Sequence, residues 1–467
     1  MADAVLTLPA DVLSWVEDVT GGEVVHADRI PGGATREAWY VDVRPSGGEV
    51  RPLFVRFSAE RLPERSAFHP LAVEAEMMMA LHDAGIRVPH VLAVHPTREA
   101  ILSERVPGAT WFYRIQDPDE QVRVASDFMA NLAKLHQLDP RTLHLPSFGP
   151  VKTARQHALD RIQDIRWRGT APDGSMDPLL RLSVDWLERN VPDYEEPVVI
   201  VQGDTGPGNF LYQDGKVTAV VDWELSHFGD PMDDIAWVSL RTVQDTFTHF
   251  PDRLREYEQL SGHRIDPERV WYYRLFAEAT MFTLRPNEGK AAAEAQEAGR
   301  PAARDIGNGL MYPQLHRRLW LQALTRVMGI ELPMPELPEP PPAREWHPLY
   351  DQILGSLQTI VPRISDPLAS QWTKGLARAV KYLQELDLAG RQFNELELDD
   401  IASVLGHRPA DLEAGRAELA EAALAGKVAD EDYVRVLWNK VMRDDHLMRT
   451  ASGALHHRTW PPLTDDD

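Results

Sequence analysis

Residues 198–240 read VVIVQGDTGPGNFLYQDGKVTAVVDWELSHFGDPMDDIAWVSL, and the fold is decided by how this stretch is interpreted. Residues 198–201 are a short continuous apolar run of the kind a buried strand needs. Gly203, Gly206, Pro207 and Gly208 then force a tight irregular loop that holds one acid, Asp204. Two strand-like runs follow, 209–212 and 217–222, and the Asp214-Gly215 pair between them signals a hairpin. Folding about that turn brings Asn209 and Asp222 to the same end of the ribbon, close to Asp204. Two carboxylates and an amide oxygen converging there make a hard-oxygen site suited to Mg²⁺, which needs only one or two protein ligands when a phosphate supplies others. Turn-forming Asp and Asn would account for any one of these residues alone.

The spacing is more telling than the residue types. Asp-x-x-x-x-Asn followed by a second Asp after a hairpin is the order of the protein-kinase catalytic loop and metal-binding strand. The run GD-x4-N, hairpin, DWE and GDP-x2-DIAW resembles the motif of the aminoglycoside phosphotransferase and choline kinase family. Within it, the DWE and DIAW elements are most similar to the branch that includes kinase-like domains attached to some acyl-CoA dehydrogenases. The resemblance implies an α+β, protein-kinase-like two-lobe fold, with a small antiparallel-sheet lobe and a mainly helical one. It also implies an ATP- and Mg²⁺-dependent kinase acting on a hydroxyl of a small molecule, with Asp204 as the catalytic acid and Asn209 and Asp222 as metal ligands. One departure stands out: the family usually has His before Gly-Asp, and this chain has Gln202.

Composition bounds the alternatives. A chain of 467 residues is too long for one compact core, and 43% hydrophobic residues supply material for more than one. No apolar run approaches the roughly 20 residues that span a bilayer, and acids at Asp3, Asp11, Glu17 and Asp18 oppose a signal peptide, so a cytoplasmic protein is expected. The absence of cysteine excludes disulfides and thiolate metal sites. A net charge of −23 gives no footprint for nucleic acid, and no membrane partner is expected either.

Upstream, apolar residues at helical spacing (Leu8, Val12, Trp15, Val16) predict an opening helix, and runs at 23–30, 37–44 and 51–58 predict a three-strand meander. Gly32 and Gly33, between the first two strands, lie where a kinase-like fold closes a loop over nucleotide phosphates. By resemblance Arg56 is the cation that touches the α- and β-phosphates. Glu74 on the following apolar helix is its expected partner, because an acid on such a face is costly to bury unless a cation neutralises it; Glu76 is the competitor. The resemblance further implies an inter-lobe hinge near Ser103 and Arg105, whose backbone groups would bind adenine. His136 is read as a packed core residue. Asp230-Pro231 reads as a helix start, and Asp230 and Asp234 as braces for the catalytic loop.

The expected domains are an N-lobe at 1–107, a helical C-lobe at 108–331, a Pro-rich linker at 332–343 and an all-α accessory domain of unassigned function at 344–467. Residues 288–304 form a polar Ala- and Glu-rich piece. A homodimer through the C-terminal helices is a further expectation. Two rival functions share the central constellation: a nucleotide-binding pseudoenzyme or assembly module, and a protein kinase. Against the second, the chain lacks His-Arg-Asp, Asp-Phe-Gly and Ala-Pro-Glu at the required places.

Overall fold

The computed structural model describes residues 8–30, 36–58, 65–193, 197–284, 306–339 and 341–466. Gly32 and Gly33, and the polar piece at 288–304, lie outside the described residues. Two compact units emerge: Met1–Gln163 with Val191–Tyr273 and Pro461–Asp467, and Asp164–Asn190 with Arg274–Trp460. The Pro-rich stretch falls inside the second unit, and residues 332–339 carry no regular secondary structure.

In the first unit, helix α1 (Ala10–Thr20) precedes strands β1 (Gly22–Ile30), β2 (Glu37–Pro45) and β3 (Arg51–Phe57). Helix α2 (Leu71–Asp83), then β4 (Val91–Val94) and β5 (Ala100–Glu104), complete an antiparallel sheet in the order β1-β2-β3-β5-β4. Strand periodicity explains its core. Trp39, Val41 and Val43 of β2 and Leu53, Val55 and Phe57 of β3 all turn to one face, where Val12, Trp15 and Val16 of α1 cover them. The same period of two sends Arg56 to the opposite face, towards α2. That helix begins at Pro70 without a side-chain cap of its own, and the Glu99 carboxylate accepts the Leu71 N–H at 2.7 Å in its place.

The helical part contains α3 (Pro118–His136) and α4 (Ala154–Gly169). Helix α5 (Pro178–Arg189) belongs to the second unit. Strands β6 (Val199–Val201), β7 (Phe210–Gln213), β8 (Lys216–Val220) and β9 (His227–Gly229) follow, then α6 (Pro231–Gln244), α7 (Phe250–Ser261) and α8 (Pro267–Thr283). β7 and β8 form the expected hairpin, with positive φ at both Asp214 (52°) and Gly215 (74°), as a two-residue type I′ turn requires. β6 pairs with β9, a three-residue strand that the sequence did not announce.

In the second unit, α9 (Ile306–Met328) precedes α10 (Pro348–Ile360), the 39-residue α11 (Pro367–Leu405), α12 (Leu412–Leu424) and α13 (Asp430–Ser452). Its interior is partly ionic: Arg318 reaches Asp445 at 2.8 Å and the carbonyls of Leu455 and Arg458 at 2.9 and 2.6 Å. Among the described residues no helix is long and apolar enough to cross a membrane.

Candidate active site

The loop after β6 is held from beneath by one carboxylate. Asp234, in the first turn of α6 and fully buried, accepts the backbone N–H groups of Gln202 (2.9 Å) and Gly203 (3.0 Å) and the Thr205 hydroxyl. His136 Nε2 lies 3.0 Å from the same acid, and its Nδ1 lies 2.6 Å from the Tyr257 hydroxyl. Burial holds the His136 pKa below the usual range, although Asp234 opposes this. Gly203 carries φ 84°, and a Cβ there would sit 2.4 Å from the Leu225 carbonyl oxygen, so no larger residue fits the turn.

Above that brace, the Asn209 amide nitrogen donates to both the backbone carbonyl and Oδ2 of Asp204, each at 2.7 Å. The Val221 N–H donates to the Asn209 carbonyl at 2.9 Å, which zips the ribbon to its open end and sets Asn209 beside Asp222. Asp222 has a φ of 68°, a left-handed conformation uncommon for a residue with a side chain. The Gln202 side-chain nitrogen donates to the carbonyls of Val221 (2.9 Å) and Asp222 (3.0 Å) and so pins that turn to the loop that carries Asp204. The departure from the family's usual His therefore leaves a side chain with two donors, each of them used.

Arg56 of β3 bridges α2 and the turn after β8. Its guanidinium donates to Glu74 Oε1 (2.7 Å), Asp222 Oδ1 (2.7 Å) and Glu224 Oε2 (2.9 Å). Glu76 instead accepts from the Ser147 N–H and hydroxyl, so Glu74 is the partner of Arg56. A second cation, Arg36, 3% exposed, donates to Glu74 Oε2 (2.7 Å), to Glu224 Oε2 (3.1 Å) and to the His69 carbonyl. Three carboxylates thus share two guanidinium groups. Burial would lower the Arg56 pKa, but Glu74, Asp222 and Glu224 outweigh it and keep the group charged. At Asp222 burial pushes the pKa up, yet Arg56 prevails and holds it below the usual carboxylate range. Glu224 goes the other way, pushed up to about 8 by burial and then by the Asp222 charge.

Asp204 is itself paired. Arg241, near the end of α6, donates through Nε to Asp204 Oδ1 at 2.7 Å and through Nη2 to Oδ2. Burial nonetheless raises the Asp204 pKa, with Arg241 opposing and Asp222 adding to the rise. Asp230 caps α6 through the Met232 N–H at 2.8 Å and pairs with Arg269 at 2.5 and 3.2 Å, which places it under the helix start, away from Asp204's own hydrogen bonds.

The fit to a divalent cation rests on the donors left over. With the Asn209 nitrogen on Asp204 and Asp222 Oδ1 on Arg56, the Asn209 oxygen and the second Asp222 oxygen are the atoms left for a hard cation, and the Asp222 side chain is 32% exposed. Among the described residues no three His, Cys, Asp or Glu side chains gather into a metal cage. Two protein oxygens are the complement of Mg²⁺ bound chiefly by phosphate.

The structure thus brings Asp204, Asn209, Asp222, Arg56 and Glu74 together, with Asp234 bracing the loop beneath. Ser103 and Arg105 make none of these contacts. Ser103 is a buried residue of β5, flanked by β3 and β4, and the Arg105 N–H is directed at the Pro52 carbonyl (3.4 Å) while its side chain reaches Asp42 at 3.1 Å. Arg36, Glu224 and Arg241 were not anticipated. Glu224 was legible in the DWE triplet, and Arg241 lies seven residues after Asp234, two turns along one helix face. Arg36 left no signal.

Residues 26–273 match the model of the phosphotransferase enzyme family. An aminoglycoside 3'-phosphotransferase of Streptomyces fradiae is 31% identical over 255 residues, covering 50% of this chain and 87% of that protein. Acyl-CoA dehydrogenase family member 11 of Rattus norvegicus is 27% identical over 189 residues, covering 37% of this chain but only 23% of that longer protein. Among solved structures, choline kinase LicA from Streptococcus pneumoniae is 15% identical, with a TM-score of 0.45, covering 60% of this chain and 90% of that one. The match over more than half its length shows that the chain belongs to the phosphotransferase enzyme family, as a small-molecule phosphotransferase.

Proposed function

We propose that this protein transfers the γ-phosphoryl group of ATP, with Mg²⁺, to a hydroxyl of a small molecule. The observation that carries the reading is the mutual fixing of Asp204, Asn209 and Asp222 by hydrogen bonds between the loop, the ribbon end and Arg56. Asp204 orients the acceptor hydroxyl and takes its proton as that oxygen bonds the γ-phosphorus and the bond to the departing ADP breaks. Asn209 and Asp222 would hold the cation, which would neutralise charge on the phosphate oxygens. Arg56, fixed by Glu74, meets the α- and β-phosphates. Little covalent work falls to the protein, so positioning and charge neutralisation supply the rate.

A binding module without turnover is the rival reading, motivated by Gln202 and by the appended helical domain. Against it, Gln202 uses both donors to tie the metal-binding turn to the loop, which supports a competent site. The test is Asp204→Asn: phosphate transfer, followed by mass spectrometry across a panel of hydroxyl-bearing metabolites and antibiotics, should fall by at least about a hundredfold, with the calorimetric affinity for Mg-ATP unchanged. Undiminished turnover would refute the assignment.

A further inference from the structure

Helix α6 grips the catalytic loop at two points on one face. Asp234, Val238 and Arg241 stand at i, i+4 and i+7 and so line up along the helix. Asp234 takes the N–H groups of the loop's start, and Arg241 takes the carboxylate of Asp204. The loop is shaped to allow this. A Cβ on Gly206 (φ 137°) would fall 2.7 Å from Arg241 Cβ, 3.2 Å from its Cγ and 3.4 Å from Val238 Cα, so the stem of Arg241 occupies the space a side chain would need. Gly208, with φ 97°, would carry its Cβ 3.9 Å from Arg241 Nη1. Gly206 thus makes the room that the arginine stem fills, while a Cβ on Gly208 would stand only at ordinary contact distance from the guanidinium.

We infer that Arg241 is a positioning residue for phosphoryl transfer, fixing the plane of the Asp204 carboxylate so that a single oxygen faces the acceptor hydroxyl. A carboxylate offers about four acceptor positions. Arg241 Nε fills one on Oδ1, while Arg241 Nη2 and the Asn209 amide fill both on Oδ2, and the position left is on Oδ1. A guanidinium fork fixes both oxygens of a carboxylate at once, which a lysine cannot do. The pair is only partly exposed, at 23% for Arg241 and 18% for Asp204, so water competes weakly for it.

This inference rests on the proposed transfer from ATP, and one experiment separates the two. ADP release from Mg-ATP, with water as the acceptor, is measured for the full chain and for Arg241→Gln, Arg241→Lys, Asp204→Asn and the Asp204→Asn/Arg241→Gln double variant. Arg241→Gln should lower kcat by about a hundredfold, the scale of a small misplacement of a reacting group, while KM for ATP stays within about twofold. Arg241→Lys should fall between it and the parent chain, and it gives the same reading if the Gln variant does not fold. Because Arg241 acts through Asp204, the double variant should be no slower than Asp204→Asn alone. Losses that multiply in the double variant, or an Arg241→Gln enzyme with parental kcat, would overturn the role of Arg241 and leave the transfer reading standing. A parent chain that binds Mg-ATP yet transfers phosphate neither to water nor to any compound of the hydroxyl panel would overturn both.

Discussion

At the scale of single residues, the site depends on acids whose partners sit far away in the chain. Asp234 accepts from Gln202, Gly203 and Thr205 and pairs with His136, so its loss leaves several buried polar groups unsatisfied. Asp234→Ala should therefore lower unfolding free energy by about 3–5 kcal/mol, as expected when one member of a buried charged network is removed. Urea denaturation measures it, and a midpoint within error of the parent would show that the loop stands without this brace. Glu74 was legible because an acid among Met77, Met78 and Leu81 on an apolar helix face demands a cation. Arg36 was not, because an arginine at the edge of a strand reads the same whether solvated or buried, and its partners Glu74 and Glu224 are 38 and 188 residues away.

At the scale of elements, periodicity did most of the work. The runs at 23–30, 37–44 and 51–58 announced a three-strand meander, and Asp214-Gly215 announced the hairpin; both stand in the structure. β9 escaped because His227, Phe228 and Gly229 are too few to show a period, and only pairing with β6 makes them a strand. Helix α4 carries a pH-sensitive contact near its start. The Lys152 N–H donates to His157 Nε2 at 2.9 Å, so that nitrogen must stay unprotonated. Burial, then the neighbouring His227, lowers the His157 pKa from 6.5 to about 4. A base whose pKa is depressed on folding is protonated first in the unfolded chain. Its contribution is therefore present above pH 6.5 and is lost as pH falls towards about 4. The urea midpoint should drop across that window, and His157→Gln should flatten this part of the slope; an unchanged slope would dissociate His157 from acid sensitivity.

At the scale of the whole molecule, two compact units predict two calorimetric transitions. All the side chains of the candidate site belong to the first unit, so Mg-ATP should move only one of the transitions. At a hundred times the dissociation constant the gain is about 2.7 kcal/mol by mass action, and ATP with a chelator should give less. Movement of both transitions together would contradict this assignment. By itself the sequence determined the order Asp204, Asn209, Asp222 and the local elements that carry them, because turn chemistry and strand period act between near neighbours. Only the tertiary structure decided that Arg36 and Glu224 share the Arg56 cluster, that Gln202 pins Asp222, and that Arg241 seats on Asp204. Those pairings join elements far apart in the chain, and a buried charge reveals its partner only when packing excludes water from both.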